Sequence, residues 1–148
     1  MLELSSEEAE IVSAEATAAA GVLEGPRSEQ ALVLAHAAES GELPDELLPV
    51  LERILAASLQ GGRARHLYKA EGERTLTRLL LRTPGGRRLQ ENLDAVNKAL
   101  RALGGRRLDD VKVAMRTPGH FTVSLQTEGV GLVLVVRPDG VAVESLSA

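Results

Sequence analysis

An α+β fold is predicted: a bundle of about five helices over residues 1–107, followed by a four-stranded antiparallel β-meander over residues 108–148. Three observations carry that reading. Apolar residues recur every three or four positions as far as about residue 103, the period falls to two from Asp109 onward, and tight glycine-containing turns separate the strand-like segments. Turns this short leave no room for the crossovers that parallel pairing requires. No linker rich in proline, serine or charge divides the chain, so its 148 residues are expected to form a single domain.

The first helix is announced by Ser5 and Glu8, spaced as a capping box, with acidic residues in the first turn. It is expected to reach about Ala20 and to pack through small side chains, because Ile11 and Val12 are almost its only large apolar residues. After the break at Gly21 and Gly25-Pro26, Ser28 to Glu39 reads as a second helix with Ala31, Leu32, Leu34, Ala35 and Ala38 inward, stopped by Gly41. A third helix follows over Asp45 to Gln60, where Leu47, Leu48, Leu51, Ile54, Leu55 and Leu59 repeat at helical spacing. Arg63 to Ala70 has no firm period. Glu71 to Arg82 reads as a fourth helix with Leu76, Leu79 and Leu80 on one side and Arg74, Arg78 and Arg82 on another. Thr83-Pro84 is a helix start, and Leu89, Leu93, Val96, Leu100 and Leu103 mark the apolar stripe of a fifth helix closed by Gly104-Gly105.

In the C-terminal part, Val111, Val113 and Met115, then Phe121, Val123 and Leu125, alternate with polar or small residues around the turn Thr117-Pro118-Gly119-His120. These are two half-buried strands. Val130 to Val136 is apolar on both sides and therefore belongs in the middle of the sheet or at an edge covered by another subunit, while Val141 to Ser145 follows the turn at Pro138-Asp139-Gly140.

Composition narrows the function. With 44% apolar and 26% charged residues the chain is an ordinary globular one. The lack of cysteine excludes disulfides, thiolate catalysis and Cys-ligated zinc or iron–sulfur clusters. Tyr68 and Phe121 are the only aromatic residues, whereas leucine supplies 25 positions, so an aliphatic core is expected and base stacking or carbohydrate stacking is not. The opening MLELSSEEAE has no basic stretch before an apolar one, and no apolar run approaches a membrane span, so a cytoplasmic protein without a membrane segment is expected.

The charge is segregated. Residues 1–62 carry a net −10, residues 63–107 a net +8 and residues 108–148 a net −2. Such a division means either that the two charged segments face one another, within a chain or between subunits, or that the basic one meets an anionic partner. Two candidate sites arise from the second option. Arg82, Gly85, Gly86, Arg87 and Arg88 surround a helix start where free backbone N–H groups could hold an anion, although the loop lacks the Walker spacing. The alternative is a tight interhelical turn whose arginines pair with the acidic helices. Residues 73–82 and 84–103, followed by a β-hairpin, also have the order of a winged helix-turn-helix, with Arg74, Arg78 and Arg82 for the phosphates of double-stranded DNA. Glu91 and Asp94 on the second of those helices weigh against it.

His36, His66 and His120 form no metal-ligand spacing, and no nucleophile elbow is present, so no catalytic residue, metal or cofactor is expected. The leading expectation is a non-catalytic module for protein–protein association, homo-oligomeric, with the DNA-binding regulator as the alternative.

Overall fold

The computed structural model describes all residues, Met1–Ala148. Six strands and five α-helices follow in the order β1 (Leu2–Glu3), α1 (Ser6–Val22), α2 (Pro26–Glu39), β2 (Glu42–Leu43), a 3₁₀ turn (Asp45–Leu47), α3 (Leu48–Gln60), α4 (Arg63–Arg82), α5 (Pro84–Arg101), β3 (Leu108–Thr117), β4 (His120–Thr127), β5 (Val130–Arg137) and β6 (Gly140–Ser147). The α+β architecture with a C-terminal meander is therefore the one expected from the change of period. The chain divides into two compact units, Met1–Arg87 and Arg88–Ala148, so most of α5 belongs with the sheet and not with the helices that precede it.

In the first unit the capping box forms as its spacing requires: Ser5 Oγ accepts from the Glu8 amide at 3.2 Å, and the Glu8 carboxylate accepts from the Ser5 amide at 2.8 Å. Helix α1 continues through Gly21 to Val22. Its small residues let it lie close to α2, and Val12, Ala16, Ala31, Leu34 and Ala38 are fully buried together with Leu51, Leu55, Leu76 and Leu79. This is the aliphatic core that the leucine and alanine content implied. The two-residue strands β1 and β2 pair antiparallel, an element too short for any periodicity to reveal.

Residues 63–70, which show no period, are helical. Helix α4 starts at Arg63, eight residues before the expected start, and is broken at Lys69 (φ 61°, ψ −168°). Because the break reorients the chain, the apolar spacing before it cannot be continuous with the spacing after it. Gly72 follows, and a Cβ there would lie 2.1 Å from the Cβ of Tyr68, so only glycine lets the chain past the tyrosine.

In the second unit the strand order is β3-β4-β5-β6, all antiparallel, and the doubly apolar β5 occupies the interior as expected. One side of the sheet is set by the cross-strand rows Val111–Leu125–Leu132–Leu146, Val113–Val123–Leu134–Val143 and Met115–Phe121–Val136–Val141. Helix α5 covers part of this side, with Val96 and Ala99 against Leu132 and Leu134. The stripe on α5 is narrower than its sequence pattern: Leu93 and Leu100 remain 42% and 37% exposed.

Candidate functional site

The basic residues of α4 and the start of α5 are held differently from one another. Arg82 donates through Nη1 to both oxygens of Glu8 at 2.9 and 3.1 Å and through Nη2 to the Glu3 carbonyl. It is thus taken up by the acidic first helix. Arg78 reaches the Thr75 hydroxyl at 3.4 Å and no carboxylate. Arg74, Arg87 and Arg88 are exposed, and no acid pairs with them. Thr83 caps α5 by accepting from the Gly86 amide at 3.1 Å. The neighbouring amide of Gly85 donates to Glu52 Oε1 at 2.6 Å. The carboxylate at this helix start is therefore the chain's own, supplied by α3. Packing there is close: a Cβ on Gly85 would meet Glu52 Oε2 at 2.6 Å, and one on Gly86 would meet the Leu80 carbonyl at 1.8 Å.

A second basic residue is bound by the acidic segment in the same manner. Glu15, 3% exposed, accepts from Arg63 Nε at 3.0 and 3.1 Å and from the Tyr68 hydroxyl at 2.7 Å. Burial pushes the Tyr68 phenol up to about 12, and the hydrogen bond to the anionic Glu15 adds to the shift because the protonated form is the donor. Part of the charge segregation is thus resolved within the first unit, through Arg63 and Arg82.

The histidines are dispersed. His36 lies 3.5 Å from Glu39 on an exposed helix face, His66 is exposed, and His120 keeps Nε2 buried without a hydrogen-bond partner. No three His, Asp or Glu side chains come together in a group that could hold a metal ion. No helix is long and apolar enough to cross a membrane.

The feature that sequence reasoning missed lies on β3. Its alternation predicts a half-buried strand, but Val111, Val113 and Met115 are 53%, 63% and 62% exposed. They share the apolar side of the sheet with Val123 and Leu125, beyond what α5 covers. Periodicity reports which side of a strand is apolar, whereas its cover depends on where a helix lies across the sheet. β3 is also an edge strand, so one row of its backbone N–H and C=O groups has no partner strand. From Asp110 to Met115 its register with β4 is regular, and irregularities occur only at the two ends. Arg116, near the end of β3, pairs with Glu144 of β6.

Comparison with protein-family models, with curated proteins and with solved structures finds no match to this chain.

Proposed function

We propose that the chain is a non-catalytic assembly module that self-associates through the edge strand β3. The observation that carries this reading is the row Val111, Val113 and Met115, exposed on the apolar side of the sheet and borne by an unpaired edge. A second copy is the occupant that the strand's own charges favour. Antiparallel pairing about a two-fold axis normal to the sheet keeps the apolar sides of both copies together and allows few registers. Centring the pair on Lys112 sets that lysine against itself, and centring it on Ala114 sets Lys112 against Arg116. Centring on Val113 opposes Val111 to Met115 twice and Val113 to itself, sets Asp110 opposite Arg116, which also pairs with Glu144 of its own copy, and gives an overlap inside the strand as long as any other of these registers. A centre on Val111 also opposes Asp110 to a cation, Lys112, but runs sooner into Arg106. Opposite charges and β-branched residues facing each other stabilise such pairs by about 0.2–1 kcal/mol each, and like charges destabilise them.

The test is light scattering on the purified chain together with Val113→Lys, which places two ammonium groups at the centre of the join. A dimer for the parent chain and a monomer of unchanged helix and sheet content for the variant are expected. A parent chain that stays monomeric at tens of micromolar would overturn the reading. The second reading, a DNA-binding regulator, draws support from Arg74, Arg78, Arg87 and Arg88, which no carboxylate neutralises. Binding to duplex DNA that weakens steeply with salt and is lost in Arg74→Glu/Arg78→Glu would favour it.

A further inference from the structure

Residues 1–62 contain twelve acidic side chains and only two basic ones, Arg27 and Arg53. Separated by 26 positions and carried on different helices, both line the same cleft of about 450 Å³ in the first unit. Apart from the Glu15–Arg63 pair and Ser58 its wall is otherwise aliphatic, with Val22, Leu23, Val50 and Ile54 among small alanines of α1, α2 and α3. Ser58 lines it as well. Its hydroxyl is buried, on a residue 3% exposed, and has no hydrogen-bond partner. The one acid of the lining, Glu15, is already neutralised by Arg63 and bound by Tyr68. Arg27 has no partner, and Arg53 makes only a 3.4 Å hydrogen bond to Gln30. In a segment of net charge −10, the cleft lining is therefore net positive.

We infer that this cleft binds a small aliphatic carboxylate, its tail on the apolar wall and its head group held by Arg27 and Arg53. Sites for small molecules have this character: mostly apolar walls, a few placed polar groups and a volume of about 300–1,000 Å³. Guanidinium groups suit a carboxylate because their forked donors match its two oxygens. At ordinary packing density a chain of about ten carbons takes up roughly half of such a volume and is accommodated without crowding. The site lies wholly within the first unit and does not depend on association through β3.

The experiment is a titration of the ¹⁵N-labelled full chain with decanoate below its micellar concentration, read from amide shifts, with decyltrimethylammonium as a probe of equal tail and opposite charge. Saturable shifts confined to residues 15–31 and 50–63 are expected for decanoate, and binding about tenfold weaker in Arg27→Ala/Arg53→Ala, a modest loss because both cations are solvent-exposed. Ala57→Phe, at an exposed wall position away from the core, should block the cleft while leaving the fold intact. The inference is overturned by the absence of saturable shifts, by equal affinity for the cationic probe, or by retention of binding in Ala57→Phe. It is also overturned if the same amides shift with protein concentration alone, which would make the cleft a contact between copies.

Discussion

Tyr68 is the residue whose chemistry is most altered by the fold. Its phenol is shifted from its ordinary 10.0 to about 12, first by burial and then by donation to Glu15. A group held more firmly in its protonated form by the folded chain contributes stability that is complete below pH 10 and is lost as the pH rises toward 12. Since the chain contains one tyrosine, ultraviolet absorbance follows this ionisation without interference. A midpoint near 12 in the native chain, returning to about 10 in urea, is the expected outcome; a native midpoint at 10 would show that the phenol is neither buried nor bonded to Glu15 in solution. The interaction joins residues 53 positions apart, so no local pattern could have announced it. Glu8 with Arg82 is similar, 74 positions apart, although the opposed charges of the two segments did foreshadow pairing of that kind.

Among the elements, α1, α3 and the four strands of the meander were legible because their cues are local: a capping box, a helical repeat of leucine, an alternation closed by glycine turns. Helix α4 was legible only after its break. Lys69 sits in a backbone region that glycine tolerates and other residues enter at a cost of about 1–3 kcal/mol. Lys69→Gly is therefore expected to stabilise the chain by about 1 kcal/mol, the gain being reduced by the greater freedom of glycine in the unfolded state. Urea denaturation measures this, and a destabilised variant would mean that the lysine side chain contributes more than its backbone costs. The strand β3 shows the opposite limit of sequence reading. Its apolar side was assigned correctly by alternation, yet its exposure follows from the reach of α5, a property of packing that one strand's residues do not encode.

At the scale of the whole chain, the two units are unequal in their cores. Sixteen buried apolar residues form the cluster of the first unit, whereas Val96, Ala99, Leu132 and Leu134 form that of the second. Local opening free energy tracks the density of buried apolar contact. Amide hydrogen exchange is accordingly expected to be faster in β3–β6 than in α1, α3 and the second half of α4. The proposed self-association through β3 adds a condition: protection of the sheet should rise with protein concentration, while that of the helical core should not, because only the associated state would bury the strand's open side. Protection that is uniform across both units, or independent of concentration in the sheet, would count against the cluster sizes and the edge contact respectively.

The junction between α4 and α5 has an evolutionary consequence. Gly86 has no space for any side chain against the Leu80 carbonyl, Gly85 is closed in by Glu52, Thr83 caps the helix, and Glu8 holds Arg82 beside them. Six positions, Glu8, Glu52, Arg82, Thr83, Gly85 and Gly86, are thereby restricted in concert. A descendant or cousin that has lost all overall resemblance would still be recognisable by Arg-Thr-x-Gly-Gly in the second half of its helical part, with one glutamate near the first helix start and another about thirty residues before the glycines.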